Sequence, residues 1–151
     1  MEVPMRIRIS LARLCIALGV LTLDLGTKWA FYDSSKFNPG LARVDGWLLI
    51  AVVVFCLAVY AAEVVGTIPV SGVAGIGFAL WLGASLGQAI QFAATGSVSD
   101  WIPVGPIQNV TMWTNLADLA LLAGAGAVLF QWGWRGQFEF SSSFHVRLPT
   151  H

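Results

Sequence analysis

Four stretches of the chain are apolar for roughly 20 residues each, and the polar and turn-forming residues fall between them. They run from about Ile9 to Tyr32, Trp47 to Val65, Pro69 to Ala94 and Met112 to Trp134. A helix rising about 1.5 Å per residue crosses a hydrocarbon core of about 30 Å in that length. The pattern predicts an all-α integral membrane protein with four transmembrane helices and short extracytoplasmic loops. Residues 1–136 would form one membrane domain, and the polar segment 137–151, with Ser141, Ser142 and Ser143 in a row, a disordered cytoplasmic tail.

Composition agrees, since 57% of the 151 residues are hydrophobic and 11% charged, and the mean hydropathy is +0.76. Eight Lys+Arg balance eight Asp+Glu, so the chain lacks the basic excess with which proteins neutralise nucleic-acid phosphates. Cys15 and Cys56 both lie in apolar runs without histidine at ligand spacing, so packing is expected of them rather than a disulfide or zinc. Arg6, Arg8 and Arg13 ahead of an apolar run resemble a secretory n-region. No small-x-small site follows, and Leu14 is too large to precede a lipidated cysteine, so a retained helix is expected.

Orientation follows from the cations. Arg6, Arg8 and Arg13 at the start of the first helix and Arg135 and Arg147 after the fourth outweigh Lys36 and Arg43 in the first loop. The positive-inside bias then places both termini in the cytoplasm. The loops Asp33–Gly46 and Ser97–Thr111 would face outward, and the Gly66-Thr67 turn, with Pro69 opening the next helix, inward. Trp29, Tyr32, Trp47, Trp101 and Trp113 fall near the predicted outer helix ends, where amphipathic rings favour the headgroup region. Gly72, Gly75, Gly77, Gly83 and Gly87 in the third helix, with Gly124 and Gly126 in the fourth, predict surfaces of close helix packing.

Carboxylates placed in or beside such helices cost at least a few kcal/mol and need a reason. Asp24 precedes Lys28 by one helical turn, in the order that favours an ion pair. Asp100 follows the outer end of the third helix, and Asp118 is expected about two turns inside the fourth, at the same membrane level. Asn115 would share the face of Asp118, offering its amide to that carboxylate or to a substrate carbonyl. If the third and fourth helices are neighbours, Asp100 and Asp118 meet and share one proton, the arrangement by which aspartic peptidases activate water. The alternative makes Asp100 a solvated loop acid and Asp118 an acid favoured by the helix dipole.

The segments Leu23-Asp24-Leu25-Gly26-Thr27-Lys28, Asn38-Pro39-Gly40, Gly83-Ala84-Ser85-Leu86-Gly87-Gln88, Val98-Ser99-Asp100-Trp101-Ile102 and Thr114-Asn115-Leu116-Ala117-Asp118, in that order across four helices, resemble the lipoprotein signal peptidases (signal peptidase II), a family of aspartic peptidases. The resemblance spans about Leu23 to Asp118. It implies that Asp100 and Asp118 form the catalytic dyad and that Asp24 and Lys28 structure the outer rim. It also implies that Asn38 and Gly40, with Gln88, contact substrate or shape the site, and that Asn115 orients Asp118. The implied reaction is cleavage of diacylglyceryl-modified prolipoproteins before the lipidated cysteine, in the bacterial cytoplasmic membrane. It requires no metal or organic cofactor, and its partners are the lipidated substrate and membrane lipid, with the enzyme a monomer.

The chain departs from the family in two places. Where the family has Gly-Asn-x-x-Asp-Arg, this sequence has Gly87-Gln88-Ala89-Ile90-Gln91-Phe92, so an acid and a cation are lost together. The first outer loop is also short, with little room expected for the family's extracytoplasmic sheet and mobile flap. These departures leave two alternatives to a peptidase: a noncatalytic relative that binds lipidated peptides or assists another membrane protein, and a small ion or proton carrier. The carrier would need titratable groups through the whole bilayer, whereas the inner halves of these helices read as almost purely apolar.

Overall fold

The computed structural model describes residues 5–32, 36–37, 42–65, 72–107 and 110–142. Four helices form its body: α1 (Met5–Ala30), α2 (Ala42–Val65), α3 (Gly72–Thr95) and α4 (Leu116–Ser142). Spans within α1, α3 and α4 are long and apolar enough to cross a membrane, and Ile50–Val65 of α2 is a shorter apolar stretch. The protein is an all-α membrane protein of four helices. Its polarity is that of a chain folded in lipid: Leu23, Phe55, Leu122 and Leu129 face outward, while Arg13, Asp24, Lys28, Gln88 and Asn115 are buried.

Helix α3 is the axis of the bundle, packed on by α4, α1 and α2, whereas α1 and α2 touch one another little. The glycines explain how closely. A Cβ at Gly83 would collide with the Ala17 carbonyl of α1, and one at Gly77 would lie 2.7 Å from the Gly124 carbonyl of α4. The expected small-residue packing is therefore present at these crossings. Gly72 opens α3 at φ 63°, a conformation open to glycine, and the next two amides, Val73 and Ala74, donate to Gln131 Oε1 of α4 at 2.8 and 3.2 Å. Cys56 is buried with Ala17 and Leu82, Cys15 is exposed, and both thiols are free.

Four short strands sit between the helices at one end of the bundle: β1 (Lys36–Phe37), β2 (Ser99–Asp100), β3 (Ile102–Ile107) and β4 (Val110–Thr114). β1 pairs antiparallel with β2, Lys36 opposite Asp100, and β3 pairs antiparallel with β4, Ile102 opposite Thr114. The expectation that the short first loop leaves little room for a sheet is thus corrected. Two residues of that loop suffice for β1, because the partner strand comes from the loop between α3 and α4. The fourth helix begins at Leu116 rather than Met112, since Val110–Thr114 is held in the hairpin. At its other end α4 continues to Ser142, so residues 137–142 extend the helix rather than open a tail. The Gly66-Thr67 turn, Pro69 and Arg147 lie outside the described residues.

Candidate active site

The site is assembled where the strands meet α1, α3 and α4. Asn115 caps α4: its Oδ1 accepts the Asp118 amide at 3.0 Å, and Asp118 Oδ2 accepts the Asn115 amide at 3.3 Å. This reciprocal capping box satisfies amide donors that a helix start otherwise leaves open. Asp118 therefore lies in the first turn of α4, not two turns inside it as expected. The Asn-x-x-Asp spacing was itself the signal for this start.

Asp118 is held further by Gln88 Nε2, which donates to Oδ1 at 2.6 Å, and by the Thr114 hydroxyl, which donates to Oδ2 at 3.0 Å. The expected donation from the Asn115 side-chain amide to Asp118 is corrected: Nδ2 donates instead to the other aspartate, Asp100 Oδ1, at 2.7 Å. One buried residue thus binds Asp118 through its carbonyl and backbone and Asp100 through its amide. Asn115 is 0% exposed, so this geometry is fixed by packing on every side.

Gln91 fixes the strand that carries Asp100. Its Nε2 donates to the Ser99 hydroxyl, and its Oε1 accepts the Ser99 amide at 3.1 Å, with both residues buried. The departures from the family pattern are therefore partnered, Gln88 with Asp118 and Gln91 with Ser99. Ser99 and Thr114 carried no site signal in the sequence, because their partners come from α3 and from the cap of α4. Phe31 at the end of α1 stacks on Trp101, ring centres 4.5 Å apart and planes at 14°, which packs the β2–β3 segment against α1.

Asp24 is 0% exposed and Lys28 3%. Lys28 Nζ donates to Asp24 Oδ2 at 2.7 Å, as their spacing predicted. The other carboxylate oxygen has a role no spacing could reveal: Oδ1 accepts the Ala117 amide of α4 at 3.1 Å. Asp24 thus ties α1 to the first turn of α4, one residue before Asp118. Gly87 makes the space, since a Cβ there would lie 2.5 Å from Asp24 Oδ2. Asn38 and Gly40 lie outside the described residues.

Burial raises the Asp100 carboxyl above the usual carboxylate range; the Asn115 hydrogen bond opposes this, the charge of Asp118 adds to it, and Lys28 also opposes. Among the described residues no group of His, Cys, Asp and Glu could hold a metal ion.

No family model and no curated protein matches the sequence. Its fold is nevertheless similar to that of solved bacterial membrane enzymes determined by the in meso method. One, at 2.3 Å resolution, aligns with a TM-score of 0.64 and 15% identity over 93% of this chain and 94% of that one. Another, at 1.9 Å, gives 0.64 and 18% over 80% and 91%. This chain shares their fold. At such identities the likeness concerns the architecture and leaves the chemistry to the residues.

Proposed function

We propose that this protein is an intramembrane aspartic endopeptidase that removes the signal peptide from diacylglyceryl-modified prolipoproteins, cleaving before the lipidated cysteine. It would act as a monomer in the bacterial cytoplasmic membrane, with both termini cytoplasmic and the strand-bearing end at the outer face. The observation that carries the reading is the Asn115 bridge, which joins Asp100 and Asp118 in one hydrogen-bonded group at the rim of an apolar bundle.

The chemistry follows from the unequal surroundings of the two acids. Asp100, buried and with one donor on Oδ1 from Asn115, holds the shared proton. Asp118 acts as the carboxylate, its orientation set by Gln88, Thr114 and the Asn115 amide. Asp118 takes a proton from a water between the acids as that water adds to the scissile carbonyl carbon. Asp100 gives its proton to the carbonyl oxygen. The tetrahedral diol then collapses: Asp118 returns its proton to the cysteine nitrogen, the C–N bond breaks, and Asp100 recovers a proton from the diol. The substrate is itself a membrane segment, so it can enter between helices while its scissile bond stops at the rim.

The test is cleavage of a diacylglyceryl-modified prolipoprotein by the purified chain in detergent or lipid. Signal-peptide release by wild type, lost in both Asp100→Asn and Asp118→Asn, is expected. A folded wild type that releases nothing, beside an active lipoprotein peptidase, would overturn the reading in favour of a noncatalytic binder of lipidated peptides.

A further inference from the structure

Asp100 stands on a strand that cannot place it unaided. β2 is two residues long, as is its partner β1, and a lone two-stranded pairing is marginal even at greater length. The chain reaches β2 through a tight turn, in which Gly96, at φ 71°, donates its amide to the Phe92 carbonyl at 2.8 Å. The residues flanking Asp100 are held by other elements. Before it, the Ser99 amide donates to Gln91 Oε1 at 3.1 Å, the Ser99 hydroxyl accepts Gln91 Nε2, and the Ser99 carbonyl lies 3.5 Å from Asn115 Nδ2. After it, the Trp101 amide donates to the Thr114 carbonyl at 3.1 Å.

Gln88 and Gln91 are three residues apart on α3 and so are neighbours on its surface. Gln88 holds Asp118, and Gln91 holds the residue before Asp100. One turn of one helix is therefore the common reference for both acids. The type of side chain matters as well. A primary amide offers a donor and an acceptor together, which matches the hydroxyl and amide of Ser99, and it brings no charge of its own beside Asp100. Gln91 is 9% exposed and Ser99 0%, so water competes little for these bonds.

We propose that Gln91 is a positioning residue for Asp100, acting through Ser99 to keep the Asp100 carboxyl group on the Asn115 amide that joins it to Asp118. The kinetic consequence rests on the peptidase reading, whereas the effect on the Asn115–Asp100 bond does not. Gln91→Met conserves volume and breaks both bonds to Ser99. Gln91→Glu restores both: one carboxyl oxygen accepts the Ser99 amide, and the other accepts the hydroxyl proton or, when protonated, donates to the hydroxyl oxygen.

In prolipoprotein cleavage by the full chain in detergent, Gln91→Met should lower kcat about 10²-fold, the loss expected when a reacting group is misplaced by about 1 Å. KM should stay nearly unchanged, and Gln91→Glu should recover most of the rate. The second readout is the nuclear magnetic resonance of the Asn115 side-chain amide in a chain grown with isotope-labelled asparagine, assigned by removing the other two asparagines with Asn38→Gln and Asn109→Gln. That resonance should move in Gln91→Met as it does in Asp100→Ala, and stay in place in Gln91→Glu. A folded Gln91→Met with the wild-type kcat, a loss confined to KM, an unmoved Asn115 resonance, or a Gln91→Glu as impaired as Gln91→Met would overturn the proposal. A wild type that cleaves nothing overturns the peptidase reading instead, and the Asn115 resonance then decides the positioning alone. If a Gln91 variant does not fold, Ser99→Ala takes its place: it breaks the hydroxyl bond alone and should lower kcat about tenfold, near the upper end for one hydrogen bond, and move the same resonance. Wild-type behaviour of Ser99→Ala in both readouts would overturn the proposal.

Discussion

Each end of the bundle holds an ion pair, one buried and one part-buried, and each pair rests against a glycine of α3. Asp24–Lys28 lies beside Gly87 at the strand-bearing end, and Arg13–Glu63 beside Gly75 at the other. The pairs are built differently. Asp24 and Lys28 share one helix, and Asp24 uses its second oxygen on a backbone amide of α4 next to Asp118. Arg13 and Glu63 join two helices over an apolar cleft. The same device, a charge admitted where α3 has no side chain, therefore anchors the helix start that carries Asp118 at one end and joins α1 to α2 at the other. The second pair also corrects the expectation that the inner helix halves are almost purely apolar. Arg13 and Glu63 are in fact paired with one another at that end.

The sharpest separation of the two ends comes from the acids themselves. Asp118→Asn or Asp100→Asn should lower the cleavage rate by about 10²–10⁴-fold, the usual contribution of general acid–base catalysis, in protein that remains folded. Comparable loss of melting temperature and activity in parallel would mean that these acids hold the fold instead.

Next in size are the pairs. Asp24→Ala leaves the Lys28 ammonium buried and the Ala117 amide without its acceptor, and Glu63→Ala leaves Arg13 without that carboxylate. Each should cost about 3–5 kcal/mol in reversible unfolding. Only Asp24→Ala should also reduce kcat of the folded fraction, because only it loosens the turn bearing Asp118. An equal kcat loss from Glu63→Ala would erase the division between the ends.

Gly87→Ala and Gly75→Ala place a Cβ against Asp24 and Arg13 respectively, with an expected cost of about 1–3 kcal/mol for an overpacked contact. Unfolding measurements check both, and cleavage should change for Gly87→Ala alone.

The smallest expected effect is a pH dependence confined to the strand-bearing end. The Asp100 carboxyl is raised above its ordinary 3.8, so the folded chain binds more protons than the unfolded one between those values. Stability therefore falls as pH rises from about 3.8 through the raised pKa, and the slope should flatten in Asp100→Asn. Cleavage by wild type should decline over the same rise, because the mechanism needs the Asp100 proton. A cleavage rate flat across that window would argue against Asp100 as the acid.

Much of this architecture was legible along the chain. Runs long enough to cross a bilayer marked four helices, the order of Asp24 and Lys28 marked their pair, and Gly77, Gly83 and Gly87 marked the crossings. Those signals are local, since they depend on helical rise, on spacings of one turn and on the absence of a side chain. The capping box of Asn115 and Asp118 was equally local, and its spacing could have set the start of α4 at Leu116 instead of Met112.

Tertiary structure decided the rest, because it depends on which distant groups face each other. The Asp24 bond to Ala117 joins residues 93 positions apart, and the Arg13–Glu63 pair residues 50 apart. Gln88 meets Asp118 across 30. Hydropathy records that a polar residue in such a helix needs a partner, since lipid supplies none, but it does not record which one. Close packing of α3 against its neighbours made that choice, and it gave Asn115 both aspartates.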